Sequence, residues 1–297
     1  METILIIGAS GRIASELTAS LDRFDNVHLK LTTSRTEAVP ELQARYPQAQ
    51  VILADWHDSN SLITAFQGVD RVVMIPPDFV LDEPLAVQNI VAAYKANPSI
   101  KQLVRLIAIP EGATIADMDP DYMKVPAGTA LHLVGKALLE RTDMPLTYLN
   151  MVAWFTSNIP WFFADDIKQQ QKLRLPGLDV ARAYLTEADM TDALVKVLTD
   201  DACMHINKQY NLTSEKRFSF NDIAKQISTL VDKPIQYENS DQGLIENDQA
   251  FISEYIQHES KIWQRFPELS KNHITDLIGR SPMELPEWLA QNKHYFN

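Results

Sequence analysis

The stretch Ile4-Leu5-Ile6-Ile7-Gly8-Ala9-Ser10-Gly11-Arg12-Ile13-Ala14 limits what this chain can fold into more than any other. An apolar run, two glycines three apart and the start of an apolar helical pattern arrive together there. The chain has only nine glycines, well under the usual share of roughly 7%, so two placed this close need a local reason. A strand turning sharply into a helix, with its backbone close to something bulky, supplies one, because a side chain would stand in the way.

Alternation follows. Short apolar runs at Thr3–Ile7, Val27–Thr32, Gln50–Ala54, Arg71–Ile75, Gln102–Ile107 and Leu146–Val152 predict six strands. Between them, residues recur at helical spacing: Ile13, Leu17 and Leu21; Leu62, Ile63 and Phe66; Leu85, Asn89, Val91, Ala92 and Tyr94; Leu131, Val134, Leu138 and Leu139. Strand alternating with helix implies an α/β fold, a doubly wound parallel sheet covered on both faces. Asp58 is placed to cap a helix and Gly68 marks the return to the next strand. After Val152 the character changes. The run from Trp154 to Phe163, with Phe155, Asn158, Trp161 and Phe162 inside it, is aromatic-rich without a clean period and reads as a loop or short helix. Residues 1–153 are therefore expected to form one domain, with a returning segment near 181–214, and 154–297 a smaller, helix-rich lobe. Ala181–Leu198 looks helical in its later half, Gln209–Thr213 predicts a strand, and Phe220–Val231 an amphipathic helix through Ile223, Ala224, Ile227 and Leu230.

Composition excludes several classes. Lys and Arg number 27 against 39 Asp and Glu, a net charge of -12, and no basic block stands out, which argues against nucleic acid as a partner. The single cysteine, Cys203, cannot form an internal disulfide, and no Cys/His cluster has zinc spacing, so no metal is expected. There is no basic n-region followed by a sustained apolar run, and no stretch approaches the ~20 apolar residues that span a bilayer. A soluble, cytoplasmic protein without membrane contact is the expectation.

Gly8-x-x-Gly11-x-x-Ala14 lies where a helix N-terminus, with its free N–H groups and positive dipole end, favours a pyrophosphate. Alone, the pattern equally suits a tight turn in any α/β domain. Two later positions favour a nucleotide. A site selecting NAD places an acid about 20 residues on, at the end of the second strand; here that end reads Thr32-Thr33-Ser34-Arg35. A hydroxyl and a guanidinium suit a 2′-phosphate, with Arg12 in reach, which favours NADP(H) over NAD(H). A solvated loop arginine is the bland reading, but it leaves the missing carboxylate unexplained. Asp55, directly after the third strand, is placed to accept from an adenine amino group with Trp56 beside the ring, or simply to cap the next helix.

With these residues in hand, the chain resembles the NmrA-like branch of the atypical short-chain dehydrogenase/reductases, a family with NADP(H)-binding regulators and quinone-type oxidoreductases. The resemblance runs through Gly8-Ala9-Ser10-Gly11-Arg12, Asp55-Trp56-His57-Asp58-Ser59-Asn60-Ser61-Leu62 and Ala65-Phe66-Gln67-Gly68-Val69-Asp70. It continues in His132-x-x-x-Lys136-x-x-x-Glu140, Tyr148 and Asn158, and ends with Thr275-Asp276-Leu277-Ile278-Gly279-Arg280-Ser281-Pro282. It implies a Rossmann domain with cofactor contacts from Gly8, Ala9, Ser10, Gly11, Arg12 and Ile13, from Ser34 and Arg35 to the 2′-phosphate, and from Asp55 and Trp56 to adenine. Ile75-Pro76-Pro77 would run along the cofactor, and Lys136 would lie near the nicotinamide ribose.

The departures bear on the reaction. An ordinary member of the wider family carries Tyr-x-x-x-Lys after the fifth strand, one helical face on which the ammonium lowers the phenol pKa. Here no tyrosine has a lysine four residues later. The spacing falls on His132 and Lys136, and the expected upstream serine falls in Leu106-Ile107-Ala108-Ile109. His132 reads either as a proton donor or as part of a polar stripe with Lys136 and Glu140 beside a core stripe of Leu131, Val134 and Leu138. A quinone's reduced oxyanion is delocalised and takes its proton from water, so positioning suffices. Trp154, Phe155, Trp161, Phe162 and Phe163, with Asn158 as a polar anchor and Phe79 opposite, read as a substrate wall or as packing between lobes. The expected function is NADP(H)-dependent hydride transfer to a quinone-like or conjugated small-molecule substrate. The alternatives are a non-catalytic NADP(H) sensor acting through a regulatory protein partner, and an assembly protein with a vestigial cofactor fold. A homodimer is compatible with the chain.

Overall fold

The structure, a computed structural model, describes residues 1–297. Strand β1 (Glu2–Ile7) passes through the glycine turn into α1 (Arg12–Leu21), whose Ala14, Leu17, Thr18 and Leu21 are buried. There follow β2 (Val27–Thr33), α2 (Ala38–Arg45), β3 (Gln50–Leu53), α3 (Ser59–Phe66), β4 (Arg71–Met74), α4 (Glu83–Ala96), β5 (Gln102–Ile107), α5 (Gly128–Leu139) and β6 (Leu146–Met151). The chain continues with β7 (Trp154–Phe155), α6 (Asn158–Gln170), β8 (Lys172–Arg174), β9 (Arg182–Leu185), α7 (Glu187–Thr199) and β10 (Lys208–Leu212). It ends with β11 (Arg217–Phe218), α8 (Phe220–Val231), β12 (Gln236–Glu238), α9 (Gln242–Glu246), α10 (Ser253–Arg265), α11 (Ile274–Ile278) and α12 (Leu285–Gln291).

The six expected strands form one sheet with β10, in the order β10-β6-β5-β4-β1-β2-β3. Pairings among β1 to β6 are parallel. Buried runs such as Ile4–Ile7 and Val72–Met74 are apolar throughout because helices cover both faces. Strand order reverses at the β1/β4 junction, the position where a doubly wound sheet opens a crevice beyond its strand ends. The glycine turn follows β1 there, and Ile75-Pro76-Pro77 follows β4. At the opposite ends of these strands, buried Arg71 joins Glu2 (2.7 Å), Gln102 (3.0 Å) and the Asp200 carbonyl (2.7 Å), tying β1, β4, β5 and the end of α7.

The chain separates into two compact units. One comprises Met1–Ile107, Leu131–Asn150 and Thr191–Tyr210; the other comprises Ala108–Ala130, Met151–Met190 and Asn211–Asn297. Residues 108–130, placed with the first domain on sequence grounds, cluster with the second unit. The second unit contains a three-stranded sheet, β11-β9-β7, and the parallel pair β12-β8. Its α8 begins with a capping box in which the Ser219 hydroxyl accepts the Asp222 N–H and the Asp222 carboxylate accepts the Ser219 N–H.

Two helices differ from expectation. α2 buries only Ala38 and Leu42 and carries Pro40, so it has too few periodic residues to show. α6 replaces the expected loop or short helix with a full helix. Its buried positions, Ile159, Phe162, Phe163, Asp166 and Ile167, keep helical spacing. The period was masked by exposed Trp161 and by an acid on the buried face, where Asp166 pairs with Arg174 at 2.9 and 2.5 Å. No helix is long and apolar enough to cross a membrane.

Candidate functional site

Gly8 adopts φ +73°, the left-handed region that an L side chain resists. Its N–H donates to Thr32 Oγ1 (3.2 Å), the Ala9 N–H to the Thr32 carbonyl (2.7 Å) and the Gly11 N–H to the Gly8 carbonyl (2.9 Å). One residue on, the Thr33 hydroxyl lies 3.4 Å from that of Ser10 and accepts the Arg35 N–H at 3.2 Å. Two consecutive threonines at the end of β2 thus hold the glycine turn and the Ser34-Arg35 corner in one place. Gly11, Arg12, Ser34 and Arg35 are exposed, Ser10 and Ile13 half-buried, and Ala9 buried.

α1 starts at this turn with neither a side-chain cap on its N-cap residue, Gly11, nor an acid in its first turn. The first N–H groups of a helix lack intrahelical partners, and here no carboxylate offsets the positive dipole end. This is a fitted place for an anion, and the Arg35 guanidinium beyond β2 supplies a second. The residues therefore fit a 2′-phosphorylated dinucleotide: the helix start for the pyrophosphate, Ser34 and Arg35 for the additional phosphate.

Trp56 is buried with its indole Nε1 3.9 Å from where a Cβ on Gly8 would stand, so the ring borders the turn. Its carbonyl accepts from Asn89 Nδ2 at 2.9 Å, an anchor from α4. Half-buried Asp55 accepts the His57 N–H at 2.8 Å. His57 Nε2 in turn accepts the Asp82 N–H at 3.0 Å, which puts a neutral ring's proton on Nδ1, 3.3 Å from Asp55 Oδ1. Asn89 and Asp82 contact the loop after β3 from a distant helix, which no local pattern shows. Ile75 is half-buried, Pro76 buried and Pro77 exposed, beyond β4. Phe79, in the same loop, is half-buried at φ 67°.

On α5, Lys136 is half-buried, with Nζ 2.5 Å from Glu140 Oε1 and 5.5 Å from the centroid of the Tyr148 ring. His132 is not on this solvated stripe. It is buried, as are Leu131, Leu133, Gly135 and Leu139, whereas Val134 and Leu138 are half-buried. The helix turns its buried face about one position away from the expected one. Burial, together with the Arg105 charge, pushes the His132 pKa down to about 3, and its Nδ1 has no hydrogen-bond partner. At neutral pH His132 is an uncharged imidazole closed from solvent, which removes the physical basis for reading it as an imidazolium proton donor.

The unfolded chain takes up the His132 proton near 6.5, the folded one only near 3. Between these values the unfolded state binds more protons, so stability falls as pH falls, by up to about 1.4 kcal/mol per pH unit. His132→Leu removes this loss. Urea unfolding at pH 7, 6, 5 and 4 should show the wild type losing ground to the variant at each step below 6.5, whatever their difference at pH 7.

Of the residues expected to face a substrate, Phe79 belongs to the first unit, whereas Trp154, Phe155 and Asn158 belong to the second, Trp154 buried and the other two half-buried. Trp154 packs on Phe162 and Phe220, each with ring centroids 5.9 Å away, and Phe163 meets Phe220 edge-on at 5.8 Å. Phe220 was read only as the start of a helix, yet it lies at the middle of this cluster. Trp161 is 48% exposed and touches only the rim, against Phe162.

Fold and turn together define a class, a doubly wound α/β protein with a phosphate-type glycine turn and no acid at the end of β2. Residues 1–289 match the NmrA-like family, and the chain belongs to it. No curated protein matches the sequence at a significant level. Among solved structures, the chain is similar to the triphenylmethane reductase of Citrobacter sp. complexed with NADP(H), at 21% identity over 97% of this chain and 99% of that one, TM-score 0.77. It is also similar to an NADPH-dependent quinone oxidoreductase of Escherichia coli complexed with NADPH, at 19% identity over 99% and 100%, TM-score 0.76. A third likeness is to NmrA, a negative transcriptional regulator, in complex with NADP, at 16% identity over 98% and 94%, TM-score 0.70. At these identities the likeness is one of fold.

Proposed function

We propose that this protein is an NADP(H)-dependent oxidoreductase that passes a hydride to a quinone-like or otherwise conjugated small molecule. The observation that carries the reading is the pairing of an unneutralised helix start at Gly11 with Ser34 and Arg35 where an NAD site would place an acid. Relatives in the same fold are described with NADPH or NADP, and two are reductases of conjugated molecules. When bound, NADPH supplies the hydride.

The chain's own part is to hold and orient. Gly8 to Ile13 hold the pyrophosphate and Arg35 the 2′-phosphate, while Trp56 and Asp55 border the adenine and Lys136 the nicotinamide ribose. His132, buried and neutral, supplies no proton, and the Tyr-x-x-x-Lys pair is absent. Such a site suits an acceptor whose reduced form is a delocalised oxyanion, protonated by water, and poorly suits a simple ketone, whose alkoxide needs a donor in place.

The test is NADPH oxidation against a panel of quinones, with a simple ketone as the contrasting substrate. Turnover of quinones but not ketones is expected. Cofactor binding without turnover above a buffer control would overturn the enzyme reading. The same missing hydroxyls favour a second reading, an NADP(H) sensor, to which the likeness to NmrA adds weight. A sensor must bind NADP+ and NADPH unequally, because equal affinity for both states of a switch shifts nothing.

A further inference from the structure

Arg182 is a buried cation without an ion-pair or hydrogen-bond partner. It lies on β9 at 2% exposure, and none of its three guanidinium nitrogens has a hydrogen-bond partner. Its Cζ stands 4.2 Å from the Trp154 ring and 5.2 Å from that of Phe220. Neither contact supplies an acceptor for its five N–H donors, which lie in the plane of the guanidinium. Two residues along the same face of the strand, Tyr184 is fully buried and its hydroxyl also lacks a partner. Trp154 lies opposite Tyr184 in the β7–β9 register.

Other groups do not resolve the imbalance. Glu259 is the acid whose charge is felt at Arg182. Its oxygens are already held by the Tyr122 hydroxyl, the Thr129 N–H at 2.8 Å and Trp263 Nε1 at 2.8 Å. A guanidinium cannot shed its proton to escape burial. Attraction to aromatic faces recovers only part of the cost of burying an unpaired charge. In-plane donors without acceptors, a second unpaired hydroxyl and walls made of rings describe half of a recognition site.

We propose that Arg182 and Tyr184 are the anchor of a binding site for a small aromatic carboxylate. The paired carboxylate oxygens match the fork of Arg182 and accept from the Tyr184 hydroxyl. The aromatic body belongs among Trp154, Phe162 and Phe220. A carboxylate is preferred to a phosphate because a single buried cation balances one charge, and Arg182 is the cation that stands over Trp154 and Phe220. Because the donors are closed from solvent, binding requires local opening, and association should be slower than into an open, preformed pocket.

The experiment uses the full chain without NADPH, so its outcome is independent of the reductase reading. Benzoate and cinnamate are titrated by tryptophan fluorescence, which Trp154 reports, and by the shift in Tm. Benzamide serves as the neutral counterpart of nearly equal shape. Saturable binding of one of the two carboxylates is expected, with Tm rising with its concentration, benzamide at least tenfold weaker, and binding lost in Arg182→Met. If that variant does not fold, Tyr184→Phe decides, with an affinity several-fold lower. The proposal is overturned if neither carboxylate binds, if benzamide binds as tightly, or if the variants bind unchanged.

Discussion

Arg35→Glu is expected to weaken NADPH binding about 10²-fold and to leave NADH within a few-fold. A hydrogen bond to a charged group contributes about 1.5–3 kcal/mol, a factor of ten corresponds to about 1.4 kcal/mol, and reversal of the charge adds repulsion to the loss. NADH has no 2′-phosphate, and an acid at this corner is what an NAD site uses to bind the ribose hydroxyl. The backbone N–H of Arg35 is fixed on the Thr33 hydroxyl at 3.2 Å, so the substitution changes the side chain without releasing the loop. Because Arg35 is exposed, the preference for NADPH should shrink as salt rises. Fluorescence titration of both cofactors at two ionic strengths checks this. An unchanged NADPH affinity would overturn the 2′-phosphate assignment and with it the choice of cofactor.

The glycine turn and the Ser34-Arg35 corner beside it were legible because their parts are local. Gly8 and Gly11 lie in one turn and Ala14 in the helix it opens, and Ser34 and Arg35 directly follow β2. The strands of the main sheet were legible for a similar reason: most of their residues are apolar, with β1 an unbroken apolar run from Ile4 to Ile7. What the sequence hid depends on meetings between distant segments. Asn89 reads as one polar residue on a helix until its amide is found on the Trp56 carbonyl. Asp82 and His57 are 25 residues apart and meet through one hydrogen bond. The orientation of α5 was hidden by Gly135, a residue without a side chain on what proves to be the buried face, so that His132 read as solvated. Arg105 and Arg182 lie in strands, where a charge ordinarily argues against burial; only the packing shows that Arg105 meets Glu83 and that Arg182 is left among aromatic rings.

Gly135→Ala is expected to destabilise the fold by about 2–4 kcal/mol, although alanine is the better helix former by about 1 kcal/mol. An added Cβ would overlap Glu83 Oε1 and stand 2.7 Å from Arg105 Nη2. Elsewhere such side-chain ends would swing aside. Here both are buried and joined at 2.6 Å between Arg105 Nη2 and Glu83 Oε1, and parting a buried ion pair costs about 3–5 kcal/mol. The pair is itself poorly satisfied, since Glu83 Oε2 and Arg105 Nε have no partner and burial raises the Glu83 pKa despite Arg105. Glu83→Leu alone should therefore cost about 3–5 kcal/mol by stranding the guanidinium, whereas Glu83→Leu with Arg105→Met should fall within about 1 kcal/mol of wild type. Denaturant unfolding of the set decides. A double variant as unstable as the single one would show that the pair contributes more than its desolvation costs. Arg105 also helps hold His132 neutral. Burial is the larger cause of that shift, so the loss of Arg105 should raise the His132 pKa part of the way toward 6.5, which an NMR titration of the double variant reads.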